Sequence, residues 1–161
     1  SGRYAYRMAA IYIHTSSNEK IMTVEIKQLE NYIGPFYGGK GLFATRNIEK
    51  EKIILVLQGE EFSKPSRTSI QIENKHIEDP EGGYMNHHCD PTAEIKIVST
   101  FIGSNPTARC ETNQVILVTA KKDIKKGDEI TFDYETTEDV LAMPFKCSCC
   151  GKLINGKTKE G

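Results

Sequence analysis

Y-M-N-H-H-C-D-P-T-A, residues 84–93, is the stretch on which the organisation of the chain depends. It places an amide, two imidazoles, a thiol, a carboxylate and a proline in succession, with almost no apolar content. So few hydrophobic side chains argue against a core strand, and Pro91 interrupts any helix. Such a run of polar groups is expected where side chains converge on a ligand or on one another.

Two other unusual segments flank this stretch, and a cysteine-rich tail follows them. G-G-K-G-L-F-A occupies residues 38–44, E-I-T-F-D-Y occupies residues 129–134, and C-S-C-C occupies residues 147–150. In this order and at these spacings the segments resemble the SET-domain protein-lysine methyltransferases, which carry G-x-G, N-H-S-C-x-P-N and E-[IL]-T-F-D-Y before a cysteine-bearing tail. The resemblance covers roughly residues 34–156.

Composition and charge are those of an ordinary soluble protein of one domain. The 161 residues are 38% hydrophobic and 27% charged, and the net charge of -1 lacks the basic excess of a general nucleic-acid binder. No apolar run approaches the roughly 20 residues of a membrane span, so no membrane partner is predicted. Five cysteines, three of them crowded together, make a poor disulfide framework. They predict a reducing, intracellular compartment, either cytoplasm or nucleus.

The apolar pattern predicts a mainly β fold of many short strands, with one helix. Strands are predicted at residues 21–27, 52–58, 69–73, 93–98 and 114–120. Residues 101–113 are predicted to be the loop of a hairpin, and 136–142 a short helix capped by Thr136 or Thr137. The resemblance implies small sheets around a knot-like crossing, where residues 84–93 pass beside residues 130–134.

The chain is divided into three regions. Residues 1–20 are assigned to an N-terminal extension, residues 21–138 to the SET domain and residues 139–161 to a tail similar to the family's post-SET segment. Ser1–Arg7 are interpreted as partly a cloning remnant, with Met8 as a candidate native start. The polar end of the tail, from Lys152, is expected to be mobile.

The glycine-rich segment first has to be distinguished from a phosphate loop. Residues 34–40 match most of G-x-x-x-x-G-K, but Gly41 stands where Ser or Thr would hold magnesium. The following residues are strand-like, so no helix N-terminus would face a phosphate. A tight turn, for which glycine is a usual choice, is compatible with a cofactor loop. The resemblance implies that S-adenosylmethionine lies against this backbone, with contacts at Lys40, Gly41 and Leu42.

The polar stretch supplies the other candidate cofactor residues. An asparagine amide offers two donors and an acceptor, which suits a zwitterionic amino-acid ligand. The resemblance implies that Asn86 binds the methionine part of the cofactor and that the His87 backbone meets the adenine edge. Two alternatives stay open, a metal site of consecutive residues 87–89 and a polar loop with internally satisfied side chains. The chain departs from the family pattern at Gly83, His88 and Thr92, where Arg, Ser and Asn are usual.

Residues 129–134 supply the candidate catalytic group. Lysine has a pKa of about 10.4, so a substrate amine must lose a proton before it attacks a methyl group. An apolar channel would lower the pKa of the amine, and alignment of amine, methyl and sulfur would favour the transfer. The resemblance implies that the Tyr134 hydroxyl lies beside the transferred methyl. Alternation places Phe132 on the same side as Tyr134. The resemblance implies that a phenylalanine here leaves room for a second or third methyl group, and the position of Tyr84 near Asn86 predicts that it lines the same channel. A core role is the alternative for each aromatic ring.

The cysteines leave two accounts of the tail open. In the family, three tail cysteines join the N-H-x-C cysteine around zinc, and Cys89, Cys147 and Cys149 fit that pattern. The third tail position falls on Ile154, and Cys150 adjoins Cys149, which argues against both binding one tetrahedral ion. Zinc is therefore one account. The other is a tail held by apolar contacts, from Phe145 and Leu153 for example.

Together these segments predict a protein-lysine methyltransferase that uses S-adenosylmethionine. The expected partner is a lysine in an extended peptide, a histone tail being one possibility. Candidates for an acidic groove that would hold a basic tail are Glu60, Glu61, Glu73, Glu78 and Asp79, with a solvated surface charge as the alternative for each. The alternative is a non-catalytic SET module that binds a peptide or a partner protein. The sequence gives no indication of the oligomeric state.

Overall fold

A computed structural model describes residues 23–29, 39–102 and 111–157. The predicted N-terminal extension, residues 34–38 of the glycine-rich region and Cys110 lie outside these ranges. Twelve strands and two short 3-10 helices make up the described part of the chain. The strands are β1 (Val24–Gln28), β2 (Lys40–Ala44), β3 (Ile53–Val56), β4 (Glu60–Phe62), β5 (Ile70–Ile72), β6 (Lys75–Glu78), β7 (Asn86–His87), β8 (Ala93–Ile102), β9 (Glu111–Ala120), β10 (Glu129–Phe132), β11 (Phe145–Lys146) and β12 (Leu153–Ile154).

The strands form four small sheets, and one of them carries the polar stretch. Its order is β1-β2-β10-β7, antiparallel except for the parallel pair β10-β7. Three antiparallel sheets have the orders β3-β9-β8, β4-β6-β5 and β11-β12. The mainly β architecture predicted from the apolar pattern is confirmed. In the part of the chain that the structure describes, no helix is long and apolar enough to cross a membrane.

One hydrophobic core is shared by the sheets and determines which face of each sheet is buried. Leu42 of β2 and Ile130 of β10 are both 0% exposed, and Val118 of β9 and Met85 pack in the same cluster. Burying one such side chain contributes about 1.5–3 kcal/mol. The predicted hairpin is present, since β8 and β9 pair in continuous register from Ala93↔Ala120 to Ile102↔Glu111. Both strands therefore run further into the predicted loop than expected.

The crossing of two distant segments is made by the parallel pair β7-β10. Asn86 lies beside Thr131 and His87 beside Phe132. Thr92 extends the pairing, because its hydroxyl accepts from the Thr131 N–H at 2.9 Å and donates to the Glu129 carbonyl at 2.8 Å. The Thr92 N–H in turn donates to the Thr131 hydroxyl at 3.1 Å. Residues 84–93 and 130–134 therefore lie side by side, as the resemblance implied.

The predicted helix at residues 136–142 is absent, and that prediction was wrong. A 3-10 turn, η2 (Tyr134–Thr136), is capped by the Asp133 side chain, and the chain then leaves helical geometry. Main-chain groups that a helix would pair internally bond the tail instead. The Leu141 N–H donates to the Asn155 carbonyl at 3.1 Å, and the Lys157 N–H to the Glu138 carbonyl at 2.7 Å.

For residues 152–157, these bonds also correct the expectation of a mobile tail. Ile154 of β12 is 0% exposed, whereas its neighbour Leu153 is 55% exposed and does not anchor the tail. Gly156 has φ 118°, and a Cβ there would lie 2.2 Å from the Asp139 carbonyl oxygen. Only glycine fits so close to another backbone, and the described end of the tail is therefore packed against residues 138–141.

Candidate active site

A cleft of about 620 Å³ opens between the four-stranded sheet, the β5 region and the tail. It brings together six of the residues predicted from sequence: Lys40, Tyr84, Asn86, His87, Phe132 and Tyr134. Two predicted cofactor residues, Gly41 and Leu42, are buried behind its wall, and Leu42 is a core residue. The cleft wall also includes Glu129, Glu138 and Phe145, which the sequence reasoning assigned to no site.

Tyr134 lies in the cleft within a group of aromatic rings. Its hydroxyl donates to the Met85 carbonyl at 2.6 Å. Its ring centroid is 4.8 Å from that of Phe132, 5.4 Å from that of His87 and 6.0 Å from that of Phe145. Burial, with the charges of Glu138 and Glu129, raises the pKa of Tyr134 well above its ordinary value. The hydroxyl is therefore protonated at neutral pH.

His87 joins the backbone of Tyr134 to the cysteines. Its side chain is 1% exposed, and Nδ1 accepts from the Tyr134 N–H at 3.1 Å. Because Nδ1 is an acceptor there, the hydrogen belongs on Nε2, which lies 3.3 Å from Cys89 Sγ. Asp133 Oδ1 is 3.6 Å from Nδ1, but a neutral ring makes this a contact rather than an ion pair. Burial lowers the pKa of His87 despite the nearby Asp133 carboxylate, so the neutral form is favoured.

Asn86 is held by two acceptors. Its Nδ2 donates to the Lys40 carbonyl at 3.0 Å and to Glu129 Oε1 at 2.8 Å. A carbonyl and an ionised carboxylate can only accept, so the amide orientation is fixed by its partners. Both donors are thereby used within the protein, and the amide presents its oxygen as the remaining polar group.

Four cysteine sulfurs converge beside His87. The Sγ atoms of Cys89, Cys147, Cys149 and Cys150 all lie within 4.8 Å of one another. Individual separations are 3.6 Å for Cys89–Cys147, 3.4 Å for Cys89–Cys150 and 2.9 Å for Cys147–Cys149. Ligands at the usual Zn–S distance in a tetrahedron are about 3.8 Å apart, so the four thiols fit a zinc ion. Cys150 is therefore a fourth candidate ligand, although it adjoins Cys149.

The spacing of Cys150 in the sequence also favours a place in the cluster. Cys147 and Cys150 have the C-x-x-C spacing common in zinc sites, and Gly151 follows with φ 72°. The Gly151 N–H donates to the Cys147 carbonyl at 2.8 Å, which closes the turn between β11 and β12. This turn brings both sulfurs to Cys89. His88 lies apart from it, with Nδ1 accepting from the Asp90 N–H at 2.9 Å.

The thiols of the cluster differ in acidity. Burial opposes ionisation of Cys147, but hydrogen bonds from the Cys149 side chain and from the N–H groups of Cys149 and Cys150 lower its pKa to about 7. Hydrogen bonds with Cys150 and the other two cysteines raise the pKa of Cys89 above its ordinary value. Cys147 therefore ionises more readily than Cys89, and the thiolate is the form that binds metal.

The five residues predicted to form an acidic groove lie outside the cleft. Asp79 is buried, and its carboxylate accepts main-chain hydrogens from Gln58, Glu81 and Gly82. Glu78 accepts from the hydroxyls of Ser66 and Thr68, Glu61 pairs with Lys75 at 2.9 Å, and Glu73 accepts from Gln114 at 3.2 Å. None of the five lines the cleft. Most of these carboxylates instead form hydrogen bonds or ion pairs with other residues of the protein.

Glu138 holds one wall of the cleft in place. The residue is 3% exposed, and its Oε1 accepts from the Gln71 N–H on β5 at 2.9 Å. The Gln71 side chain also donates to Asp139 Oδ2 and accepts from the Asp139 N–H, each at 2.8 Å. Burial raises the pKa of Glu138 to about 7. This network ties β5 to the segment that follows η2.

Two departures from the family pattern have local explanations. A Cβ on Gly83 would lie 2.8 Å from the Thr68 carbonyl oxygen, so no larger residue fits without moving that loop. Thr92 exchanges hydrogen bonds with Thr131 and so joins the two segments at the crossing. Neither departure disrupts the cleft.

Comparison with known proteins places these features in a family. Residues 39–135 match the SET domain. The chain is 26% identical over 179 aligned positions to "Histone-lysine N-methyltransferase trr" of Drosophila melanogaster, covering 96% of this chain and 7% of that protein. It is 25% identical over 140 positions to human "Histone-lysine N-methyltransferase 2D", covering 73% of this chain and 2% of that protein. The chain thus corresponds to a small part of these relatives.

A solved structure shows the same fold. A crystal structure from Plasmodium falciparum, described as a candidate histone methyltransferase, aligns with a TM-score of 0.50 and 24% identity. The alignment covers 70% of this chain and 92% of that chain. Because the SET-domain match extends over more than half of the sequence and includes both crossing segments, the chain belongs to the SET-domain family.

Proposed function

We propose that this protein is a protein-lysine N-methyltransferase that takes the methyl group from S-adenosylmethionine. A lysine on a histone tail is the proposed substrate, since the similar curated proteins are named histone-lysine N-methyltransferases. The observation that carries the proposal is the Tyr134 hydroxyl, held in an aromatic cleft and within the same lining as Asn86 and His87.

Bound S-adenosylmethionine would supply a methyl group on a positively charged sulfur. Asn86 and the main chain of Lys40 and His87 are the proposed binding groups on the cleft wall. Gly41 and Leu42 contribute by shaping that wall, because both lie behind it. The neutral imidazole of His87 keeps the Tyr134 backbone at a fixed distance from these groups.

Tyr134 acts by position and by its oxygen lone pairs. Its hydrogen is donated to the Met85 carbonyl, and its raised pKa opposes the phenolate that a general base would need. The oxygen can still accept weak C–H hydrogen bonds from a polarised methyl group. Alignment of amine, methyl and sulfur then supplies much of the rate.

The aromatic wall prepares the substrate amine. Tyr84, Phe132 and Phe145 line the cleft with Tyr134. An apolar environment disfavours the ammonium form, so the lysine enters the reaction as a free amine. Phe132 is 2% exposed and carries no hydroxyl to hold the amine in one orientation. We propose that this allows a second or third methyl group to be added.

The cysteine cluster has a structural part in this proposal. Zinc bound by Cys89, Cys147, Cys149 and Cys150 would fix the tail turn against the crossing. The tail then forms a distinct closing region after the domain proper, with the proposed division at residues 138–139.

Transfer of labelled methyl to histones and to a cell lysate tests the proposal. The native protein should label lysine, and Tyr134→Phe should lose most of the label while it still binds S-adenosylhomocysteine. Retained binding is the control for folding. Equal labelling by both proteins would refute the role of Tyr134. Binding of the cofactor without transfer by the native protein would favour the non-catalytic module instead.

A further inference from the structure

Glu129 occupies an unexpected place for a charged side chain at the start of a central strand. β10 pairs with β2 through Glu129↔Phe43 and Ile130↔Leu42. Ile130 is buried in the core, whereas the Glu129 side chain lies on the cleft wall beside Lys40 and Asn86. Its charge is near enough to Tyr134 to oppose ionisation of that hydroxyl. The carboxylate is thus part of the same cleft as the reacting groups.

Gly41 makes room for this carboxylate. A Cβ on Gly41 would lie 2.8 Å from Glu129 Oε1, and 3.1 Å from side-chain atoms of Leu29 and Phe43. The missing side chain therefore leaves space that a protein carboxylate fills. This differs from the sequence interpretation, in which Gly41 lets a ligand lie directly against the backbone.

The hydrogen bonds around Glu129 leave a site for a cation. Asn86 turns its NH₂ group toward Glu129 and the Lys40 carbonyl, so its amide oxygen is the polar atom left to a ligand. The neutral amide does not cancel the carboxylate charge, and a carboxylate has several lone-pair positions beyond the one that Asn86 uses. Two acceptor groups side by side suit a primary ammonium, which has three donors and no acceptor.

We infer that Glu129, together with the Asn86 amide oxygen, binds the ammonium group at the amino-acid end of S-adenosylmethionine. The inference rests on the proposed function, which supplies the ligand. Glu129 would then be a binding residue that attracts the charged end of the cofactor, and Gly41 the residue that makes its position possible. A substrate lysine offers the same chemistry as an ammonium, so the test has to separate the two sources.

A pair of ligands that differ only in the amino group provides this separation. Calorimetry would measure binding of S-adenosylhomocysteine and of 5′-S-(3-carboxypropyl)-5′-thioadenosine, which lacks that group. The proteins would be the full native chain, Glu129→Gln and Glu60→Gln. Glutamine keeps the acceptor for Asn86 and removes the charge. Glu60 is an exposed residue of β4 outside the cleft, and its variant changes the net charge equally.

The native protein and Glu60→Gln should bind the ligand without an amino group about 10- to 100-fold more weakly than S-adenosylhomocysteine. In Glu129→Gln this ratio should fall several-fold, through weaker binding of S-adenosylhomocysteine. An unchanged ratio would overturn the inference, as would a change confined to the KM for substrate peptide. If the native protein binds neither ligand, the proposed function fails and the inference fails with it. Thermal unfolding of each variant checks that the fold is kept.

Discussion

Glu138→Gln is expected to stabilise the protein, and more strongly as the pH rises. The carboxylate is 3% exposed, and burial raises its pKa from 4.5 to about 7. A carboxyl group of this kind contributes stability that is fully present below its ordinary pKa and is lost as the pH rises through the folded-state pKa. Glutamine has no charge to bury, and its oxygen can still accept from the Gln71 N–H.

The two pKa values determine the size of the effect. Because the carboxyl group ionises more readily in the unfolded chain, its presence lowers the free energy of unfolding by about 1 kcal/mol at pH 5 and about 3 kcal/mol at pH 8. The free energy of unfolding of the variant should therefore exceed that of the native protein by about 2 kcal/mol more at pH 8 than at pH 5.

Urea unfolding at intervals between pH 5 and pH 8 measures this difference directly. The native protein is compared with Glu138→Gln and with the exposed control Glu60→Gln. The control should follow the native curve. A difference between Glu138→Gln and the native protein that is the same at every pH would refute the account of a buried, ionising carboxylate. So would a loss of stability at pH 8.

Three further outcomes are expected. Cys150→Ser should lower the zinc content per protein, measured by elemental analysis, whereas Ser148→Ala in the same turn should not; equal zinc in both would exclude Cys150 as a ligand. Thr92→Val should lower the free energy of unfolding by about 1–3 kcal/mol, and Thr92→Ser by much less, since serine keeps the hydroxyl that bridges to Thr131; equal losses would contradict this reading. Phe132→Tyr should shift the products toward monomethyl-lysine in mass spectra, and unchanged products would argue against its channel role.

Most of the strands could be predicted from sequence because their pattern of apolar residues is that of the strands in the folded protein. Alternating and β-branched runs mark β3, β5, β8 and β9. The crossing was implied by the resemblance of the three motifs to the SET-domain family, not by the apolar pattern. The predicted helix at residues 136–142 is absent because the structure there depends on a distant segment, the tail. The main-chain groups of residues 136–142 bond Asn155 and Lys157, and no local pattern reports a partner supplied by the tail.

The composition of the site was harder to predict than its location. Glu129 was read as part of a motif, and its position in the cleft depends on the register of β10 against β2 and on Gly41. The acidic residues 60–79 are prominent in the sequence, yet Asp79 is used to order the turn before Tyr84. Whether a carboxylate faces a cleft or its own backbone depends on tertiary geometry.

The separation of the bonded groups along the chain has a consequence for folding. The bonds of Asn86 span 46 residues to Lys40 and 43 to Glu129, and the sulfur contacts of Cys89 span 58 residues to Cys147. Each bond closes a long loop. Chains dominated by such contacts fold slowly, because the conformational entropy of the loop is lost before the contacts that it brings together can stabilise the chain. No fragment with a single motif can carry the site. Recovery of cofactor binding after dilution from denaturant would therefore report completion of the whole fold.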